Sequence, residues 1–170
     1  MCHRSPPRTE RRGIEAGGAS PFCLAFDGQR LTERHTVCGV GDPAGETRDD
    51  AALVLQSALA GDGDAVVSAF DAVVDRRGMS AAYDVAWRLA GEMVGDGIAT
   101  GPWRLDFPDI EDAPYDTRWV ARFVSAYANG DASTASALFT VALVDGRLSE
   151  CLLTLAGSTV ATLRRRGTAA

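Results

Sequence analysis

The sequence contains no lysine, so all 17 of its positively charged side chains are arginine, and it has only two histidines, His3 and His35. A Schiff-base lysine is therefore excluded, and a histidine general base is available only near the N-terminus. A phosphate-binding loop, a G-x-S-x-G elbow and the E-x-x-H pair of a di-iron bundle are also absent. These absences favour a protein without catalytic activity, and we predict no catalytic residue and no cofactor.

Long apolar runs are missing as well. No window reaches the roughly 18 to 20 consecutive apolar residues that a membrane-spanning helix requires, and no apolar stretch follows the first arginines as it would in a secretory signal. The sequence therefore predicts no membrane association and a cytoplasmic location. The exclusive use of arginine, together with abundant Ala, Gly, Val and Asp, is typical of a GC-rich bacterial genome.

The net charge of −6 is unevenly distributed. Residues 1–46 hold as many arginines as acids, whereas residues 47–170 hold eleven arginines against seventeen acids and carry the whole net charge. An acidic domain repels nucleic acid and anionic membranes. The only tight basic run is Arg164-Arg165-Arg166. It lies at the predicted C-terminus of a helix, where the partial negative charge of the helix dipole favours basic side chains. The charge pattern thus disfavours nucleic-acid binding.

Residues 1–46 are rich in Pro, Gly, Ser and Arg and poor in large apolar side chains. Such a composition cannot offset the entropy of ordering, so we predict a disordered leader. A marginal two-stranded hairpin over residues 21–46 is one alternative. Another is that translation starts at Val37 or Val40, which would leave the preceding residues untranslated.

Most of the potential metal ligands lie in this leader. Zinc sites usually combine two close pairs of Cys or His, but only one such pair is present here, so we predict no metal site and leave open whether these side chains ever bind metal. The candidates are Cys2, His3, Cys23, His35 and Cys38. Cys151 lies on a helical apolar face and is predicted to be a small core residue.

From residue 47 onward the apolar residues recur at helical spacing, interrupted by Gly stops and potential N-caps. The pattern predicts an all-α, six-helix bundle over residues 47–170. The predicted N-caps are Thr47, Asp62, Ser80, Asp116, Asp131 and Ser149.

A shift of 69 residues superposes the first three predicted helices on the last three without a gap. It aligns Gly61-Asp62 with Gly130-Asp131, and Phe70 with Phe139. The sequence identities are too few to prove common origin, but the order of stops, caps and apolar phases matches. We therefore predict two pseudo-repeated three-helix units, residues 47–97 and 116–166, joined by a loop over residues 98–115.

The loop combines three prolines with aromatic and acidic side chains. Loops of this length are uncommon in compact domains and are often functional. Its composition favours a segment that docks on a protein partner, with Trp103, Arg104, Asp106, Phe107 and Tyr115 as the contact residues. The alternative is a connection that crosses the bundle and anchors its aromatic side chains in the core.

These observations lead us to expect a protein-interaction or regulatory module that binds an unidentified protein partner. The alternative function is a small-molecule-binding or enzymatic helical protein. Its pocket would be lined by Tyr83, Trp87, Trp119 and Tyr127, although an aromatic stripe at this spacing is usually core. The sequence does not indicate the oligomeric state.

Overall fold

The computed structural model describes residues 42–96 and 110–168, and over these residues the chain forms six α-helices and no strand. The prediction of an all-α, six-helix fold is therefore confirmed. None of these helices is long and apolar enough to cross a bilayer. The predicted leader, apart from its last residues, lies outside the described residues. The elements are α1 (Pro43–Ala60), α2 (Gly63–Arg77), α3 (Met79–Val94), a 3₁₀ turn (Ile110–Asp112), α4 (Tyr115–Ala128), α5 (Ala132–Val144) and α6 (Leu148–Thr168).

The six helices pack around one core, and we describe them as a first unit, α1 to α3, and a second unit, α4 to α6. In the first unit α1, α2 and α3 all contact one another, and in the second unit α4, α5 and α6 do the same. The units meet where α3 packs against α6, with α1 against α6 and α4 against α3 on either side. Helix α5 contacts the first unit mainly through Tyr83 of α3, whose ring lies 5.5 Å from that of Phe139 and whose hydroxyl donates to the Ala132 carbonyl oxygen at 3.4 Å. It presents more of its surface to solvent than the central helices.

The core consists of aliphatic side chains and alanines around Phe123. The buried residues recur at intervals of three and four along each helix, because a helix that packs on one side buries residues at that spacing. Leu138, Met93 and Leu163 are apolar but only half-buried. Among the largest fully buried side chains are Phe123, Leu89, Leu155, Val54, Val66, Val73 and Val85.

The junctions inside each unit correspond as the 69-residue shift predicts. Gly61 and Gly130 both adopt the left-handed conformation, with φ of 76° and 66°, which glycine reaches without a steric penalty. The next residues, Asp62 and Asp131, both cap the following helix: their carboxylates accept backbone N–H groups at 2.9 Å. Both of the predicted aspartate N-caps that follow a glycine are confirmed.

The correspondence extends to the helices that follow these caps. Helices α2 and α5 start 69 residues apart, and so do α3 and α6. Phe70 and Phe139 occupy equivalent positions and are each 4 % exposed. The pattern differs between α1 and α4, because α1 begins earlier than the shift would place it.

The predicted start of the first helix is wrong. Helix α1 begins at Pro43, and Asp42 is its N-cap, with its carboxylate accepting the Ala44 N–H at 3.1 Å. Proline suits the first helical position because its missing N–H would have no partner there. Thr47 lies inside the helix, where its hydroxyl donates to the Pro43 carbonyl oxygen. The boundary between leader and helical domain thus lies before residue 47.

Three other predicted caps are also wrong. Helices α3, α4 and α6 start one residue before Ser80, Asp116 and Ser149, and neither α3 nor α4 has a side-chain cap. Asp116 instead accepts a hydrogen bond from the Thr154 hydroxyl at 2.5 Å, which joins α4 to α6.

The C-terminal arginines stabilise the ends of other helices. Arg166 donates to the carbonyl oxygens of the last residues of α3, at 3.0 Å to Glu92 and 2.5 Å to Met93. Arg164 donates to the Leu59 carbonyl oxygen near the end of α1 at 2.9 Å. The last carbonyls of a helix lack intrahelical partners and carry partial negative charge. The basic run therefore has a structural role between helices.

Candidate functional site

Helix α5 has no charged residue between Ala132 and Val144. Such a helix is usually buried all round, yet α5 buries only Ala135, Phe139 and Ala142. Val141 is 52 % exposed and Val144 is 80 % exposed. Five of the solvent-facing residues follow one another at helical spacing and form an uncharged strip, which we call the α5 outer face. It consists of Ser133, Ala137, Thr140, Val141 and Val144.

Helix α2, the equivalent helix in the first unit, carries charged residues on its outer side. The 69-residue shift places Ser133, Thr140 and Val144 opposite Asp64, Asp71 and Asp75, all three exposed. Three equivalent positions are buried in both helices, whereas Ala69 of α2 is buried and its equivalent Leu138 is half-exposed. On the outer sides, α2 presents acids to solvent where α5 presents two hydroxyl-bearing residues and Val144, none of them charged. Contiguous exposed apolar patches mark interaction sites, and Ala137, Val141 and Val144 give α5 three neighbouring exposed apolar positions.

A groove between α4 and α5 borders the α5 outer face on one side. Its two sections, of about 380 Å³ and about 220 Å³, share Arg118, Arg122 and Leu138. Arg118 donates to the Glu111 carbonyl oxygen at 3.3 Å. Neither arginine pairs with a carboxylate among the described residues. The larger section is also lined by Glu111 and Asp131, so the groove has mixed charge.

A second groove, of about 210 Å³, lies between α2 and the C-terminal end of α5. Leu143 and Leu153 lie along it and are 42 % and 38 % exposed. Its far wall belongs to α2 and includes Asp71, with Asp75 one turn further along that helix. The α5 outer face therefore lies near two grooves that both contain charged residues.

The four aromatic residues predicted to line a pocket lie close together, but largely fill the space with one another. The Tyr83 and Trp87 rings stack with centroids 6.0 Å apart, and both meet Phe123 edge-on. Trp119 is 3 % exposed and stacks on Phe123 at 4.7 Å. Its indole N–H donates to the Leu138 carbonyl oxygen at 2.9 Å. Burial and the neighbouring Asp84 raise the pKa of Tyr83 above its usual value.

Trp87 and Tyr127 also reach the surface. Their rings lie 4.7 Å apart, and they line a cavity of about 440 Å³ beside the start of α1. Arg48, Asp84 and Arg88 share its lining, and Arg88 is paired with Glu92 at 2.9 Å. Two of the four predicted residues therefore border an open cavity, and whether it binds a small molecule stays a hypothesis.

Of the residues predicted to contact a partner from the loop, only Tyr115 is described; Trp103, Arg104, Asp106 and Phe107 lie outside the described residues. The Tyr115 hydroxyl donates to the Asp145 carboxylate at 3.2 Å, and the Arg147 guanidinium lies 5.2 Å above its ring. Burial, followed by the contact with Asp145, raises the pKa of Tyr115. Tyr115 thus connects the first turn of α4 to the α5–α6 turn.

Chemistry-bearing groups are sparse in the described part of the chain. No cluster of three or more His, Cys, Asp or Glu residues there has the geometry of a metal site. Cys2, His3, Cys23, His35 and Cys38 lie outside it. Cys151 is fully buried, and burial raises the pKa of its thiol to about 12. A thiol with this pKa stays protonated at neutral pH and is a poor nucleophile.

The α5 outer face was missed in the sequence analysis, although a signal for it is present. In the sequence, the 69-residue shift already aligns the acids of the second helix with Ser133, Thr140 and Val144. Only burial shows that these positions face solvent in both helices. No family model, curated protein or solved structure matches this chain.

Proposed function

We propose that this chain is a protein-interaction or regulatory module without catalytic activity, acting in the bacterial cytoplasm, and that it binds its partner through the α5 outer face. The observation that carries the proposal is the contrast between two equivalent helices. Three of the four buried positions of α2 have a buried equivalent in α5, yet only α2 has acids on its outer side. Exposed apolar side chains lower solubility unless a partner covers them, so an uncharged outer face has a reason in binding.

The experiment transfers the acidic side of α2 to α5. The substitutions Ser133→Asp, Thr140→Asp and Val144→Asp, together the acidic-face variant, place aspartate wherever α2 carries it. All three positions are exposed, and surface substitutions of this kind usually change stability little. A matched control adds the same charge outside α5, on α1 and α3. It carries Ala52→Asp, Gln56→Asp and Ser80→Asp, also at exposed positions.

Each tagged form is used to capture proteins from a lysate of the producing cells. Wild type and control should retain a protein that the acidic-face variant loses, because aspartates on an apolar contact would have to be desolvated without partners. That protein can be another species or untagged copies of this chain. Recovery of the same proteins by all three forms would refute the proposal. Circular dichroism spectra and melting temperatures check that all three are folded.

The loop residues Trp103, Arg104, Asp106, Phe107 and Tyr115 remain a second proposed contact region. Their support is compositional: aromatic anchors beside acids are frequent at interfaces. The alternative function, small-molecule binding, is supported by the open cavity beside Trp87 and Tyr127. Its volume falls within the range of ligand pockets. A ligand there should raise the melting temperature of wild type but not of Trp87→Ala.

A further inference from the structure

We infer that the groove between α2 and the C-terminal end of α5 is a docking site for a basic amphipathic helix of another protein. We call it the acidic groove. The site goes beyond the proposed function, because no residue of the α5 outer face lines it. Two features carry the inference: exposed leucines on one wall, and an aspartate without an ion-pair partner among apolar side chains on the other.

The apolar lining of the acidic groove selects an apolar anchor. Phe70 of α2 and Leu152 of α6 line it and are buried, whereas Leu143 and Leu153 are 42 % and 38 % exposed. Its volume of about 210 Å³ is below the range of about 300 to 1,000 Å³ that is typical of small-molecule pockets. Apolar grooves between helices accept the apolar face of an amphipathic helix. The groove therefore fits apolar side chains of a protein segment.

The charge in the groove selects a basic partner. Among the described residues, Asp71 is the only charged side chain in the lining, and it belongs to no ion pair there. A neutral or acidic segment that covered the groove would desolvate the Asp71 carboxylate without supplying an opposite charge, which is costly. A lysine or arginine beside the apolar anchor removes this cost. The occupant must therefore combine apolar and basic side chains.

Helix α2 extends the acidic side beyond the groove itself. Asp64 lies two turns before Asp71 and Asp75 lies one turn after it, so the three share one face of the helix. All three are exposed. The stretch from Asp64 to Asp75 is about 17 Å long at the usual rise per residue. A helix lying along α2, with basic residues three, four or seven positions apart, would place opposite charges along this stretch.

The basic side chains nearest in sequence to the lining already have carboxylate partners. Arg76 and Arg77 are bound to the buried Asp50 at 2.6 Å and 2.9 Å. Arg147 is bound to Glu150 at 2.6 Å. A partner's cations would therefore replace water around the α2 carboxylates, and would not compete with these ion pairs.

Fluorescence anisotropy of labelled synthetic peptides, titrated with the full chain, tests the inference. The probe is a helical peptide of leucine and lysine whose leucines lie on one face. One control peptide has the same composition in scrambled order, and the other has glutamate in place of lysine. The chain should bind the probe saturably and both controls at least about tenfold more weakly. No saturable binding of the probe, or equal binding of the scrambled peptide, would overturn the inference.

Substitutions in the chain locate the binding. Asp71→Asn and Leu153→Ser should each weaken binding of the probe by at least about tenfold. Asp49→Asn is the matched control, because it removes one exposed acid from α1, and it should leave binding unchanged. Equal weakening by Asp71→Asn and Asp49→Asn would assign the binding to the overall negative charge and refute the site. Circular dichroism spectra check that the variants are folded.

Two further measurements complete the test. Asp71→Lys should bind the leucine–glutamate peptide more tightly than wild type does, since the charge of the groove is then reversed; no gain would contradict the role of Asp71. Sedimentation equilibrium of the chain without peptide tests a different occupant. A dimer that Leu153→Ser dissociates would assign the groove to a second copy of this chain and overturn the inference.

Discussion

Gly91 lies inside α3 at a point where no side chain fits. A Cβ atom added there would lie 2.6 Å from the Tyr127 hydroxyl oxygen and 3.0 Å from its Cζ atom. The Tyr127 ring cannot easily move aside, because it packs against Trp87 with ring centroids 4.7 Å apart. We therefore predict that Gly91→Ala destabilises the protein, although alanine is the better helix former.

Two opposing effects set the magnitude. Replacing a helical glycine by alanine usually stabilises by about 1 kcal/mol, whereas forcing an extra carbon into packed surroundings costs about 1 to 3 kcal/mol. Gly91→Ala should thus lower the free energy of unfolding by up to about 2 kcal/mol. Gly157→Ala is the matched control: Gly157 lies inside α6 with open space around its missing Cβ, so it should show the stabilising effect alone.

Urea unfolding followed by circular dichroism gives the free energies. A double-mutant cycle with Tyr127→Phe tests the cause, since removing the hydroxyl removes the closest contact and should relieve most of the penalty. We expect a coupling free energy of at least about 1 kcal/mol. Equal stabilisation by Gly91→Ala and Gly157→Ala would refute the described contact between α3 and α4.

Three further predictions follow from burial and composition. Phe70→Ala and Phe139→Ala should each lower the free energy of unfolding by about 3 to 5 kcal/mol in urea titrations, from lost burial plus a cavity, and nearly neutral effects would contradict the described helix phases. Burial raises the pKa of the Cys151 thiol to about 12, so on raising the pH the unfolded state loses the thiol proton before the folded state does. The free energy of unfolding should therefore fall as the pH rises above about 8.5. In urea titrations between about pH 8 and 11, Cys151→Ala should lack the part of this fall that comes from the thiol. Trp103→Ala combined with Phe107→Ala should abolish partner capture while leaving the melting temperature within a few degrees, and unfolding of this variant would instead assign the loop a structural role.

The helices could be predicted because one-sided packing imposes a spacing on apolar residues. The glycine and aspartate at each Gly-Asp junction were predictable because their roles are local. The glycine adopts the left-handed conformation that ends one helix, and the aspartate carboxylate accepts an N–H group that has no partner at the start of the next. Helix starts were less predictable, because several residues that can cap lie within one turn. Helix α1 is capped by Asp42, which precedes Pro43, and not by Thr47. Helix α3 starts one residue before Ser80 and has no side-chain cap.

The α5 outer face could be predicted only in part. The absence of charge from 132 to 144 is visible in the sequence, but an uncharged helix is equally consistent with complete burial. Distinguishing these outcomes requires knowing which helices cover α5. That depends on how the two units meet, and apolar spacing within a single helix contains no such information.

Cysteine accessibility at two equivalent positions tests the central claim, that the α5 outer face is an interface, most directly. Ser133→Cys and Asp64→Cys place a thiol at matched exposed sites of α5 and α2. Maleimide labelling in intact producing cells, located by peptide mass spectrometry, gives both rates. We predict much slower labelling at position 133 than at position 64, with the two rates converging in dilute purified protein. Equal rates in cells would contradict the account.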